Sequence, residues 1–123
     1  MNNEYLHEDI SKTIIGCFYK VYDELGNGFL ESVYEKSLMI EMENSGLNAV
    51  NQKNLNVYYR SKLVGDFKAD IIVEDKILVE IKAVNKLIAQ HEAQLINYLK
   101  ATGIKVGLLV NFGDKLEFRR RIF

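Results

Sequence analysis

The sequence predicts a single α/β domain over residues 1–123, a mixed β-sheet of about five strands flanked by helices in the order ααβββαββ. Three observations predict it. Apolar residues recur at three- and four-residue intervals up to about residue 44. From Ala49 the pattern changes to strand-like runs. One more amphipathic stretch, containing "HEAQLINYLK", separates the third run from the fourth.

The first helix is read over residues 7–25, where Ile10, Ile14, Cys17, Phe18, Val21 and Leu25 form one stripe. "GNG" stops it, with Gly26 at the usual C-terminal capping place. A second helix runs from about Phe29 to Asn44 and ends at Ser45-Gly46. "AVNQKNLNVYYR", "KLVGDFKADIIVE" and "KILVEIKAV" read as three strands, the second bent at Gly65. Asn85 is suited to cap a third helix from Lys86 to about Thr102, closed by Gly103. "KVGLLVNF" is a buried strand, Gly113-Asp114 a tight turn, and "KLEFRRRIF" a returning strand.

Hydrophobic residues make up 48% of the chain, enough for a sizeable core. A net charge of -1 argues against a wholly basic nucleic-acid-binding surface but allows a local basic groove. Cys17 is the one cysteine, so no internal disulfide forms; within the helical stripe it reads as a small buried apolar residue. Two histidines and one cysteine argue against a zinc centre. "MNNEYLHEDI" has no basic start followed by an apolar run, and no apolar stretch approaches the ~20 residues of a membrane helix. A cytoplasmic protein with no membrane partner is expected.

"DIIVEDKILVEIK" places two acids and a lysine within the most apolar strands. Glu74-Asp75-Lys76 is the natural turn, which pairs Val73 with Ile77, Ile72 with Leu78, and Asp70 with Glu80. Opposed residues have Cβ atoms ~4.5–5.5 Å apart on one face of the sheet. Lys82, two positions beyond Glu80, shares that face. Two carboxylates this close repel each other unless a proton, a cationic side chain or a metal ion relieves them. Lys82 as a neutralising partner is one reading. The other is a site for Mg²⁺ or Mn²⁺, since hard oxygen ligands suit these ions.

In "GFLESVYEKSLMIEM", a helical wheel of ~100° per residue puts Leu38 and Met42 within roughly 20° of Glu31, and Tyr34 about 60° away. An acid on that stripe is buried only if something pairs with it; otherwise it is a first-turn acid favoured by the helix dipole. Glu35 lies about 40° away, so periodicity does not choose between the two acids. In the third helix Gln94 and Tyr98, four residues apart, share a face that flanks the apolar stripe of Ile88, Leu95 and Leu99. His91 reads as a surface or hydrogen-bonded histidine. The run Arg119-Arg120-Arg121 alternates faces of a strand, either lining a groove or protecting an edge. "GNGFLE" follows a helix and lacks a third glycine, so it is no dinucleotide loop. Neither a phosphate-binding G-x-x-x-x-G-K-[ST] nor a G-x-S-x-G turn is present.

Asp70 followed by Glu80-Ile81-Lys82 resembles the D…(D/E)-x-K core of the PD-(D/E)XK nuclease superfamily. Gly28 to Tyr34 matches G-x-x-E-x-x-Y, the signature of its GxxExxY family. "HEAQLINYL" resembles that family's H-E-x-Q-L-x-x-Y-L helix, including the Q-x-x-x-Y pair of the RecB-like and lambda-exonuclease-like branch, and "GLLVNFG" resembles its late strand. The likeness runs from about Asp9 to the C-terminus. Ala69 stands where the superfamily name has proline, and Lys68 where many relatives carry arginine.

The resemblance implies a restriction-endonuclease-like core and a nuclease that uses Mg²⁺ or Mn²⁺ on DNA or RNA. It implies Glu31, rather than Glu35, as the helix-borne acid near the metal. Asp70, Glu80 and the Ile81 carbonyl would be ligands, and Lys82 would handle the attacking water. Gln94 and Tyr98, with Tyr34 and His91, would face nucleic acid. The alternative is a non-catalytic nucleic-acid-binding or protein-interaction module on the same fold. A homodimer or a larger complex is also expected, since one small domain rarely encloses a duplex.

Overall fold

The structure, a computed structural model, describes residues 5–123. Eight elements follow in the expected order: α1 (Glu8–Leu25), α2 (Glu31–Asn44), β1 (Ala49–Tyr59), β2 (Lys62–Val73), β3 (Ile77–Lys82), α3 (Ala89–Thr102), β4 (Val106–Phe112) and β5 (Leu116–Ile122). The sheet order is β1-β2-β3-β4-β5. Only the β3–β4 pair is parallel, joined by α3 as the crossover that such a pair requires.

The sheet separates two apolar layers. Ile14, Cys17 and Phe18 of α1 and Tyr34, Leu38 and Met42 of α2 pack on one face, against residues that include Ile71, Val79 and Val110. Leu95 and Leu99 of α3, with Leu87 before it, pack on the other against Ile72, Leu78 and Leu109. β4 is buried along its whole length, which is why its sequence is apolar without alternation.

α1 stops where expected: Gly26 takes a φ of 66°, and its amide closes the last turn on Tyr22 O at 2.8 Å. α3 begins three residues later than Lys86, with Ile88 rather than Asn85 in the capping place. Tertiary ties explain the delay. Asn111 brackets Val84, donating to its carbonyl and accepting from its amide, both at 2.9 Å. Glu117 accepts from the Leu87 amide at 3.2 Å. These bonds hold the chain extended until His91 Nδ1 accepts from Ile88 N at 3.1 Å and starts the helix. Ile88 is therefore exposed and leaves the apolar stripe expected of it.

β2 bends beside Gly65, as expected. Val57 pairs with Gly65 and Tyr58 with Leu63, so Val64 is the extra residue of a bulge.

A second irregularity positions the site. Residues two apart on a strand share a face. Yet Ala69 packs in the α3 layer and Ile71 in the α1/α2 layer. On β1, Leu55 lies on the α3 side and Ala49 on the other, although six residues separate them. The break falls at Gln52, whose φ is 51°. Pairs Asn51–Ile71 and Lys53–Ala69 flank it, so Gln52 lies across from Asp70. Both strands reverse their pleat at one rung, and the register is kept.

Candidate active site

The β2–β3 ladder runs Val73–Ile77, Ile72–Leu78 and Ile71–Val79, and thereby brings Asp70 opposite Glu80 as expected. Backbone pairing ends there and the side chains take over. The Ile81 amide donates to Asp70 Oδ2 at 2.7 Å, and the Asp70 amide donates to Glu80 Oε1 at 3.3 Å. Each acid thus grips the other's strand.

Glu80 is 6% exposed. Burial, then the charge of Asp70, pushes its carboxyl up to about 8. Burial also raises Asp70, with Glu35 adding to the shift, while the Ile81 amide and Lys82 oppose it. Among the described residues neither acid has a salt bridge. Lys82 ends β3, but its ammonium donates to Gln94 Oε1 at 3.5 Å instead of pairing directly with a carboxylate. Gln94 Nε2 in turn donates to Tyr98 OH at 2.9 Å. Burial and the nearby charges of Glu80 and Asp70 raise the Tyr98 phenol. The structure thus brings Asp70, Glu80, Lys82, Gln94 and Tyr98 into one connected group.

Beside this group opens a cleft lined by Glu31, Ser32, Glu35, Gln52, Asp70 and Ile81. Glu31 begins α2 and is exposed at the cleft. Glu35, one turn on, is buried. Its carboxylate accepts from Asn51 Nδ2 at 3.1 Å and from Gln52 Nε2, and its charge reaches Asp70. Periodicity leaves these two acids level, and the family resemblance chooses Glu31. The amide donors that bury Glu35 come from β1, and the left-handed backbone at Gln52 leaves no mark in the sequence.

One expected nucleic-acid contact is excluded by burial. Tyr34 is wholly buried, so it is a core residue and not a substrate contact. Its ring stacks on Phe112 with centroids 4.4 Å apart, and its hydroxyl donates to Gly26 O at 2.6 Å. His91 is committed through Nδ1 to the α3 cap. The arginine run is tied to neighbouring elements. Arg119 and Arg121 meet Glu92 at 3.4 and 2.9 Å, and Arg120 binds Ser11 Oγ and the Leu6 carbonyl. Asn111, which sequence reading passed over, is wholly buried and pairs across from Lys82.

The model of the PD-(D/E)XK nuclease superfamily matches residues 8–121. The chain belongs to that superfamily. No curated protein matches it. Among solved structures, the crystal structure of SSO0001 shares the fold, with a TM-score of 0.61 at 20% identity. The match covers 74% of this chain and 48% of that one, so this chain spans about half its length. The five-stranded mixed sheet with flanking helices is the restriction-endonuclease-like core of PD-(D/E)XK proteins.

Members of this superfamily typically use divalent metals. The donor set fits such an ion in part. Asp70 and Glu80 offer hard oxygens, and both carboxyls are raised where a cation would lower them. Against this, no group of three or more His, Cys, Asp or Glu among the described residues is close enough to hold a metal. No described helix is long and apolar enough to cross a membrane.

Proposed function

We propose that this chain is a Mg²⁺- or Mn²⁺-dependent phosphodiesterase acting on DNA or RNA. The observation that carries this reading is the interlocked pair of half-buried Asp70 and buried Glu80, with Lys82 next to it and no salt bridge to either acid among the described residues. Asp70 and Glu80, with Glu31 and the Ile81 carbonyl, would hold the ion. Bound there, the ion would supply Lewis-acid polarisation of the scissile phosphate and a more acidic water. Lys82 would orient the attacking water by donating a hydrogen bond to it. Gln94, hydrogen-bonded to both Lys82 and Tyr98, positions a phosphate oxygen beside it. The G-x-x-E-x-x-Y and Q-x-x-x-Y spacings support the finer assignment to the GxxExxY family and the RecB-like branch. A cytoplasmic location and a homodimer or larger complex belong to the same reading.

Asp70→Ala and Glu80→Ala each abolish Mn²⁺-dependent cleavage of labelled DNA or RNA in this reading. Full cleavage by the double variant, purified free of contaminating nuclease, removes both residues from their roles.

One observation favours a second reading, a non-catalytic nucleic-acid-binding or interaction module: the acids are not gathered into a cluster of three. Binding of nucleic acid by the parent without any metal-dependent cleavage supports that reading.

A further inference from the structure

β3 pairs with only three residues of β2, Ile71–Val73. From Asp70 outward, β1 and β2 continue as a two-stranded arm. At about 3.3 Å per residue, its tip stands roughly 25–30 Å along the chain from Asp70. The arm leans on α3: Leu55 and Ala69 pack in that layer, and the Phe67 ring stacks on Tyr98 with centroids 3.8 Å apart. Lys82, Gln94, Tyr98 and Phe67 are therefore a continuous line of contacts from Lys82, two residues beyond Glu80, to the arm.

The tip is aromatic and basic. Tyr58 and Tyr59 are each 62% exposed. Tyr59 pairs across the arm with Lys62, and the Arg60 guanidinium lies 5.3 Å from the Tyr59 ring centre. Between Lys53 and Lys68 stand four cations (Lys53, Arg60, Lys62, Lys68) and one acid, Asp66, in a chain of net charge -1. The turn is a two-residue one, with φ of 49° at Arg60 and 67° at Ser61. Asn-Gly is the usual choice for that left-handed geometry. Here an arginine is held at the apex despite its side chain.

We propose that the β1–β2 arm is a binding surface for single-stranded nucleic acid, leading the strand away from the acids. Stacked bases use the tyrosine rings, and Arg60, Lys62 and Lys68 take the phosphates. A second copy fits the tip poorly. Leu63 and Val64 are exposed beside the tyrosines, but the net positive charge of the arm makes two copies of the tip repel. The proposal rests on the functional reading above for the direction of the strand, and not for the binding itself.

The test measures fluorescence anisotropy of labelled dT and rU 20-mers in EDTA. Tyr58→Ser/Tyr59→Ser weakens both by roughly tenfold or more. Arg60→Gly/Lys62→Gln weakens both and lowers the salt slope by about 0.7 per cation removed. Lys20→Gln, on α1, leaves binding unchanged. Affinities within about twofold of the parent in both arm variants overturn the proposal, with melting temperatures showing that both are folded. So does a fall from dimer to monomer mass in sedimentation on losing the tyrosines, which assigns the tip to self-association. Hydrolysis of bis(p-nitrophenyl) phosphate with Mn²⁺ separates the two readings. That small diester reports on the acids alone, and the arm variants leave its rate unchanged. Its hydrolysis with unaltered 20-mer binding sinks the arm and keeps the nuclease. The reverse pattern sinks the nuclease and keeps the arm.

Discussion

At the scale of single residues, Glu80 gives the sharpest expectation. The folded chain holds its proton up to about pH 8, whereas an unfolded glutamate releases it near 4.5. Between those values the unfolded chain binds fewer protons, so metal-free stability falls as pH rises. The loss is on the order of 4 kcal/mol by the top of the window, with Asp70 adding in the same direction. Chemical denaturation in EDTA between pH 5 and 8.5 measures it, and Glu80→Gln flattens the slope. A parent whose stability is level across that range contradicts the burial argument. The pairing of Asp70 with Glu80 was legible because a three-residue turn between two apolar runs fixes the register by counting. The burial of Glu35 was not legible. It depends on Asn51 and Gln52, which meet it only once β1 crosses α2's end of the sheet.

At the scale of elements, all eight were legible because strand-like runs begin at Ala49 and a glycine follows each of the three helices. α3's start was not, because it is decided by bonds from β4 and β5 and not by its own cap. Gly113 shows how tight that junction is. A Cβ there would stand 2.2 Å from the Val84 carbonyl oxygen, which is backbone and cannot swing aside. Gly113→Ala therefore costs about 2–3 kcal/mol. Its melting temperature falls by roughly 10 °C, read by circular dichroism. Asn111→Ala removes both bonds to Val84 and frees the segment just beyond Lys82. It is expected to slow cleavage more than it weakens 20-mer binding. The reversal of pleat at Gln52 and Asp70 was likewise hidden, since both strands change together and the pairing sum never betrays it.

At the scale of the whole molecule, fold and superfamily were legible because the match runs through nearly the whole chain, residues 8–121. A ligand that prefers the folded form raises its melting point. Millimolar Mn²⁺ is expected to do so, and more at pH 8 than at pH 6, because protons on Asp70 and Glu80 compete with the ion. At a concentration 100 times the dissociation constant the gain is about 2.7 kcal/mol. Asp70→Ala removes the effect.

β5 lies at the opposite edge of the sheet from β1, and Arg120 on it reaches back to the Leu6 carbonyl. Phe123 closes the same corner through its amide on Lys105. A spectroscopic label on Leu6 or Phe123 would therefore sit near the β5 edge. The hairpin belongs to the strands at the other edge of the sheet, so such a label should leave oligonucleotide capture by the arm undisturbed.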